Sequence, residues 1–259
     1  MPHMPVLRVV PLESIRRHEE IDPLRVERLK QRIASDEMQA NPMVCIEAPE
    51  GELVLLDGAT RAESLKTLGL AHAVVQIVDA QTVDLGTWHH VVRGGEPSEI
   101  IATVEDSPAL VLSEDYGTPS VHPNKGASRL VSPADGVSSN QALSALVASY
   151  TGRWEVTRAT NPHREQVAAS YPGWSAVIEF PTLTVNDVMA AAVSEDLLPA
   201  GVTRFVVPDR ALRLNVSLDL LEVGASTSEA QGRLDEVLDQ RSSDGRVRRY
   251  EGPVVVLDD

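Results

Sequence analysis

The sequence predicts a mixed α/β (α+β) fold with two domains, and three observations support this. Short apolar runs alternate with amphipathic segments over the first ninety residues, which is typical of strands and helices in one compact unit. The same mixture resumes after residue 140. Residues 113–140, which lie between, are rich in Ser, Pro, Gly and Asp. We therefore expect an N-terminal domain at 1–92 and a second mixed α/β domain at 93–259, with a flexible segment at 113–140 outside either core.

The first ninety residues supply the clearest individual elements. The runs VLRVVP, PMVCIEA, ELVLLD and HAVVQIVD each predict a strand. The segment after Asp22 predicts a helix, because Asp22 is a good cap and Pro23 suits the first helical position. A second helix is predicted after Gly58, with Thr60 and Glu63 at the spacing of a capping box.

The second half predicts three more helices and three more strands. The helices fall at QALSALVASY, TVNDVMAAAVSEDLL and STSEAQGRLDEVLDQRSS, the last with Ser228 and Gln231 at capping-box spacing. The strands fall at WSAVIEF, GVTRFVVP and the closing GPVVVLDD.

The charge balance limits the class of partner. The 259 residues contain 23 Lys and Arg against 38 Asp and Glu, so the formal net charge is −15. This argues against broad binding to nucleic acid or to an anionic membrane, because both require a basic surface. The single cysteine, Cys45, lies in an apolar run and is expected to be a buried thiol. With neither a signal-peptide pattern nor a membrane-length apolar window, we expect a soluble cytoplasmic protein.

The stretch VLLDGATRAESLKTLG places an acid, a glycine and an arginine where a strand passes into a helix. A helix N-terminus presents unpaired N–H groups and partial positive charge. Gly58 allows a ligand close to the backbone, and Arg61 adds a donor fork suited to phosphate oxygens. Asp57 could hold Mg²⁺ or orient a nucleophile. A phosphate cradle and a tight turn with a solvated arginine fit the spacing equally well.

A second group of candidates precedes the first helix. Glu19 and Glu20 complement the helix dipole there, and one of them is also a candidate general base that reaches the phosphate site. His18 has no partner at metal-site spacing in the sequence, so a structural role is favoured.

Two further motifs allow both a structural and a functional interpretation. In TWHHVV, Trp88 suits a core position, and His89 and His90 suit the surface. In LLPAGVTRF, Thr203 and Arg204 are either ordinary strand residues or a pair that grips a carboxylate.

The residues from HEEIDPLR through DGATRAESLKTLG resemble the ParB/sulfiredoxin-type nucleotide-binding domain. More of the chain is similar to the free L-serine kinases of that fold, including those of siderophore biosynthesis that make O-phospho-L-serine. The closer similarity is carried by HEEIDPLR, DGATR, TWHHVV, LLPAGVTRFVVPDRALRLNVSLDLL and RVRRYEGPVVVLDD. It spans both halves and is weakest between about residues 93 and 175.

The resemblance implies roles for the residues of the first half. Glu19 matches the catalytic glutamate that accepts the proton of the serine hydroxyl, with the adjacent Glu20 as the alternative. Asp57 matches the aspartate at the reaction centre, close to Mg²⁺ and the hydroxyl. The phosphate-binding turn is matched by Gly58, Ala59, Thr60 and Arg61.

The resemblance also implies which residues bind the amino acid and which nucleotide donates the phosphate. Trp88 and His89 match the substrate-side motif, and Thr203 and Arg204 are expected to meet the carboxylate of free L-serine. The second domain would cover the site and exclude water. Members of the family use either ATP or ADP as phosphate donor. Some have a histidine in the phosphate turn where this chain has Ala59 or Thr60, so the donor stays open between the two nucleotides; we choose ATP. A homodimer is left open.

Three alternatives from other classes remain at this point. A ParB-like regulatory or DNA-partition protein would share the DGATR turn, and should carry a helix-turn-helix domain and a basic face. A sulfiredoxin-like reductase would use a reactive cysteine, for which only Cys45 is available. A degenerate kinase acting as a ligand sensor would keep the site without the activity.

Overall fold

The structure is a computed structural model that describes residues 4–48, 51–222, 224 and 226–249. The predicted closing strand at 252–259 lies outside these residues. The strands, in chain order, are β1 Val6–Pro11, β2 Ile15–Arg17, β3 Met38–Gln39, β4 Met43–Glu47, β5 Leu53–Asp57, β6 His72–Ile77, β7 Asp84–Thr87, β8 His89–Arg93, β9 Leu110–Ser113, β10 Ser120–Pro123, β11 Arg129–Pro133, β12 Glu155–Ala159, β13 Trp174–Glu179, β14 Thr203–Val206 and β15 Val216–Ser217.

The α-helices alternate with these strands, so the predicted mixed α/β class is confirmed. They are α1 Pro23–Asp36, α2 Ala59–Thr67, α3 Pro97–Glu105, α4 Ser139–Tyr150, α5 Arg164–Ser170, α6 Val185–Ser194 and α7 Thr227–Ser243. Short 3₁₀ turns lie at Leu12–Ser14, Ala80–Thr82 and Leu218–Leu220. Within the described ranges, no helix combines the length and apolar character needed to cross a bilayer.

The chain divides into two compact units, and the division differs from the predicted boundary at residue 92. Among the described residues, the first unit contains 4–15, 23–82 and 207–249, and the second contains 16–22 and 83–206. The predicted boundary placed β8 in the first domain and α7 in the second, whereas the structure assigns each to the other unit. The chain therefore leaves the first unit and returns to it, which a division by sequence position cannot describe.

The first unit is built on sheet strands in the order β1-β6-β4-β5. Strand β6 pairs antiparallel with β1 and parallel with β4, and β4 pairs antiparallel with β5. Residues 43–46 and 53–56 are buried without interruption, as expected for strands covered on both faces. Strand β5 ends at Asp57, where the turn into α2 begins.

The C-terminal segment belongs to the first unit because its apolar side chains complete that unit's core. Leu220, Leu221 and Leu234 form one buried cluster with Leu7 and Val74. The side chain of Gln231, on α7, also accepts a hydrogen bond from the backbone N–H of Val9 at 2.8 Å. Removing this much apolar surface from water favours the return of the chain.

The second unit contains a sheet with the order β12-β8-β13-β10-β11-β9 and a separate ribbon of β7 and β14. Strand β8 is paired antiparallel on both sides, with β12 and β13. Val91 on β8 and Val177 on β13 are fully buried and pack with Val167 of α5. The ribbon pairs Thr203 with Thr87, so the TWHH and VTRF motifs lie in adjacent elements.

The prediction that residues 113–140 lie outside either core was wrong. Strand β10 pairs with β13 and β11, and β11 pairs with β9, inside the six-stranded sheet. Val121 and Val131 are buried in this sheet. The polar residues that suggested a linker are used in the fold: His122, for example, hydrogen-bonds Ser128 at 2.7 Å and Glu179 at 2.9 Å.

Two predicted capping boxes are also absent from the structure at the positions expected. Helix α2 begins after Gly58 with no side-chain cap, so Thr60 and Glu63 do not close it. Helix α7 is capped by Ser226 and Glu229 instead of Ser228 and Gln231. The uncapped start of α2 leaves backbone donors available at that turn.

The burial of β10 gives a stability prediction. Val121→Ala removes two methyl groups from a fully buried position, so we expect a loss of about 2 kcal/mol in the free energy of unfolding. Val111→Ala on β9 is the control, because that side chain is 52% exposed. Urea unfolding would measure both variants, and equal small losses would contradict the placement of β10 in the core.

Candidate active site

The phosphate turn, residues 57–61, is shaped by the backbone of Gly58. Its φ of 109° lies in the left-handed region, where side chains are strained. A Cβ at this position would lie 2.8 Å from Cγ of Met43 and 2.9 Å from Nη1 of Arg61. Only glycine therefore allows β5 to pass into α2 with Arg61 in its present place.

Three charged side chains lie around this turn. The carboxylate of Asp57 forms an ion pair with Arg210, and Nη1 of Arg61 donates to the carbonyl of Pro42 at 3.1 Å. Burial lowers the pKa of Arg61; Asp57 raises that pKa and Arg210 lowers it further. Arginine remains protonated at physiological pH in any case. The turn thus presents two cations and one anion beside uncapped helical N–H groups, which suits a phosphate.

Arg210 was missed in the sequence analysis. It lies in the stretch LLPAGVTRFVVPDRALRLNVSLDLL, but no spacing rule links it to a turn so far away in the chain. Its contact with Asp57 arises only from the return of the C-terminal segment to the first unit.

The expected metal ligand, Asp57, offers one carboxylate. In the described part of the chain, there is no group of three or more His, Cys, Asp or Glu able to hold a metal ion. Mg²⁺ in phosphotransferases is commonly held by one or two carboxylates together with substrate phosphates and water. The residues present therefore fit Mg²⁺ that arrives with a nucleotide, and do not form an independent metal site.

In the second unit, the HEE segment is held by the LPAGVTR loop. The backbone N–H of Leu198 donates to the carbonyl of His18 at 2.9 Å, and that of Glu20 donates to the carbonyl of Leu198 at 2.8 Å. The buried ring of His18 contacts the hydroxyl of Thr203 at 3.1 Å and the edge of Phe205. The structural role predicted for His18 thus agrees with its position.

Glu19 and Glu20 differ in environment. The carboxylate of Glu19 is half-buried and accepts the backbone N–H of Gly201 at 3.3 Å, whereas Glu20 is exposed. Gly201 has a φ of 85°, and a Cβ there would collide with the guanidinium of Arg158. The loop is therefore built to bring a backbone donor to Glu19.

A buried hydrogen-bonded chain, the Tyr150–His90–Gly201 chain, lies behind this donor. His90 contacts the hydroxyl of Tyr150 through Nδ1 at 2.7 Å and the carbonyl of Gly201 through Nε2 at 3.3 Å. Burial lowers the pKa of His90 to about 4, so the ring is neutral near pH 7. Tyr150 then donates to Nδ1, and the Nε2–H donates to Gly201. His90 was predicted to lie on the surface, and this prediction was wrong, because alternation alone does not show which face of β8 is covered.

Of the remaining predicted residues, only Trp88 is seen to contact Arg204 within the described part of the chain. Its guanidinium carbon lies 5.5 Å from the ring centre of Trp88, and its Nε is buried with no hydrogen-bond partner. The structure does not bring the Thr203 and Arg204 side chains together, because alternate residues of β14 face opposite sides and Thr203 contacts His18. Nδ1 of His89 accepts the N–H of Phe180 at 3.2 Å.

Cys45 does not suit a reductase. It is fully buried in β4, and burial raises the pKa of its thiol to about 12. A thiol in this state is a poor nucleophile, because the thiolate is the reactive form. The sulfiredoxin-like alternative therefore has no reactive cysteine.

The chain is similar to a known kinase over most of its length. No family model matches the chain. It is 28% identical over 233 residues to the ATP-dependent L-serine kinase SbnI of Staphylococcus aureus, covering 83% of this chain and 84% of the relative. The chain is homologous to this kinase. The solved structure of C-terminally truncated SbnI matches with a TM-score of 0.75 and 26% identity, over 90% of this chain and 96% of that one.

A further structural match supports the fold. A free serine kinase in complex with AMP superposes with a TM-score of 0.73 and 17% identity, covering 85% of this chain and 95% of the other. The predicted resemblance to free L-serine kinases of this fold is therefore confirmed. The similarity to SbnI covers 83% of this chain, which is more than either unit contains. The homology therefore includes residues from both units.

The neutral state of His90 predicts a pH-dependent stability. Between pH 6.5 and about 4, the unfolded chain binds a proton on this ring that the folded protein does not. Stability should therefore fall as pH is lowered through this window, by up to about 3 kcal/mol. Urea unfolding at several pH values should show this loss in the wild type and a smaller loss in His90→Gln. His163→Gln is the control, since His163 is exposed; the same pH slope in all three proteins would contradict the assignment.

Proposed function

We propose that the protein is a free L-serine kinase that transfers the terminal phosphoryl group of ATP to the serine hydroxyl, giving O-phospho-L-serine and ADP. The observation that carries the proposal is the homology to an ATP-dependent L-serine kinase over 83% of the chain. The uncapped cationic turn of the first unit and the fixed carboxylate of the second supply chemistry that this reaction needs.

The donor would bind at the phosphate turn. The N–H groups at the start of α2 and the guanidinium of Arg61 face negative charge on the phosphates, and Ala59 and Thr60 contribute backbone donors to the same turn. Asp57 would hold Mg²⁺ together with the phosphates, and the ion would supply neutralisation of their charge.

Glu19 would act as the general base. Its carboxylate orients the serine hydroxyl and accepts its proton as the oxygen attacks phosphorus. The bond from Oγ to phosphorus forms while the bond from phosphorus to the β-phosphate oxygen breaks, and ADP leaves with that electron pair. The N–H of Gly201 limits the rotation of the carboxylate, so the base is oriented before the substrate binds.

The amino-acid group of serine would be recognised by the second unit. Arg204 has a buried Nε without a partner, and its guanidinium lies over the ring of Trp88. A carboxylate can accept from such a fork in bidentate geometry. Thr203 would act indirectly, by holding His18 next to the proposed base.

The two adjacent acids give a direct test of the base. Glu19→Gln is nearly isosteric, so nucleotide affinity should stay close to normal while turnover falls roughly a hundredfold or more, the scale of general-base catalysis. Glu20→Gln is the matched control and should retain activity, since that side chain is exposed. Loss of activity only in the Glu20 variant would move the base by one residue, and activity in both would place it elsewhere.

The substrate is tested by phosphorus NMR of the purified protein with Mg²⁺ and either ATP or ADP. We expect a serine-dependent phosphomonoester with ATP. Homoserine should be poor, because a displacement of about an ångström can reduce the rate about a hundredfold. D-serine should also be poor, and threonine is the best second substrate, since it keeps the distance from Cα to the hydroxyl.

The outcome also separates the alternative functions. Binding of nucleotide and serine without a phosphomonoester from either donor would favour a ligand sensor. CTP hydrolysis stimulated by DNA would instead favour a ParB-like protein.

A further inference from the structure

We propose that Arg210 is a ligand of the outer phosphates of the nucleotide, that the buried side chain of Gln76 positions it, and that phosphate binding transfers its guanidinium from Asp57 to the nucleotide. This inference rests on the proposed function, because it assigns a further residue to the same donor site.

The first observation is the ion pair that Arg210 forms. Its guanidinium pairs with the carboxylate of Asp57, the last residue of β5 before the phosphate turn. Both side chains are accessible, with 33% of Arg210 and 41% of Asp57 exposed. A ligand can therefore reach this pair from solvent.

The second observation is the excess of positive charge at the turn. Arg61 and Arg210 share a single nearby carboxylate, that of Asp57. The pKa of Arg61 is raised by Asp57 and lowered by Arg210. The start of α2 adds partial positive charge. One carboxylate does not balance these groups, whereas the outer phosphates of ATP carry several negative charges.

The third observation is the way the backbone around Arg210 is fixed. Gln76 on β6 is only 2% exposed. Its Nε2 donates to the carbonyl of Asp209 at 3.1 Å, and its Oε1 accepts the N–H of Ala211 at 2.8 Å. One buried amide therefore holds the residues on both sides of Arg210.

A surface ion pair does not require its backbone to be held by a buried amide in this way. Exposed ion pairs contribute little to stability, so there is little benefit in a buried amide that orients one. A phosphate ligand benefits more, because a planar guanidinium must be aimed to donate two parallel hydrogen bonds. The transfer of Arg210 to phosphate would also release the carboxylate of Asp57 for its proposed role in holding Mg²⁺.

Calorimetric titration of the full chain with AMP, ADP and ATP tests the role of Arg210. Arg210→Ala should weaken ADP and ATP binding roughly tenfold to a hundredfold, the usual contribution of a charge-assisted hydrogen bond, and AMP binding much less. Arg210→Lys should be intermediate, since it keeps the charge and loses the fork. Arg213→Ala is the matched control, because it removes an exposed arginine from the same segment.

The outcomes separate this inference from the proposed function. If the wild type binds nucleotide and makes O-phosphoserine, but Arg210→Ala binds ADP and ATP as well as Arg213→Ala does, only the inference is overturned. An equal loss for AMP would also overturn it, because Arg210 would not then act on the outer phosphates. A wild type that binds no nucleotide would overturn both.

A double-mutant cycle tests the positioning role of Gln76. Gln76→Glu keeps the acceptor for the N–H of Ala211 but loses the donor to Asp209, so ADP binding should weaken. In the Arg210→Ala background the same change should have no further effect on ADP affinity, a coupling that a purely structural role would not produce. Additive losses would overturn the positioning role. If Gln76→Glu does not fold, the comparison of Arg210→Ala with Arg213→Ala still decides the main claim.

Discussion

The turn at Gly58 has no room for a side chain, and the chemistry of the first unit depends on this constraint. Strand β5 is buried up to Leu56, so the chain must leave the sheet at Asp57 and turn sharply into α2. The left-handed φ of Gly58 makes that turn, with Met43 on one side and Arg61 on the other. Because no side chain caps the helix, its N–H groups remain available beside Arg61. A steric requirement of the fold thus produces a turn whose backbone donors and arginine suit an anion.

In the second unit, too, a glycine positions the candidate catalytic residue, Glu19. Gly201 donates its N–H to Glu19 and accepts from His90 through its carbonyl, so one residue connects the carboxylate to the buried Tyr150–His90–Gly201 chain. Buried polar groups of this kind are costly unless each has a partner. Each hydrogen bond therefore restrains the next one, so buried residues of the second unit fix the orientation of the Glu19 carboxylate.

The sequence predicted those parts of the protein that local patterns determine. The apolar runs of β4 and β5, the start of α1 at Pro23 and the turn from β5 into α2 are all encoded within a few neighbouring residues. Features that depend on distant parts of the chain could not be predicted in this way. Arg210 meets Asp57 only because the chain returns to the first unit, and the burial of His90 depends on which face of β8 is covered. Polar composition suggested a linker at 113–140, but His122 shows that polar residues there bond within a sheet.

The charge distribution favours a nucleotide over a nucleic acid as the ligand of the phosphate turn. The net charge of −15 opposes the approach of a long polyanion, whose affinity grows with the number of phosphates contacted. Screening limits that repulsion to about 10 Å at moderate salt, so short-range contacts can still capture a small anion. In the proposed function, Arg61, Arg210 and the start of α2 would supply such contacts to the phosphates of a nucleotide. An acidic protein with a local cationic turn therefore suits a small anion such as ATP better than a long polyanion, which agrees with the proposed function.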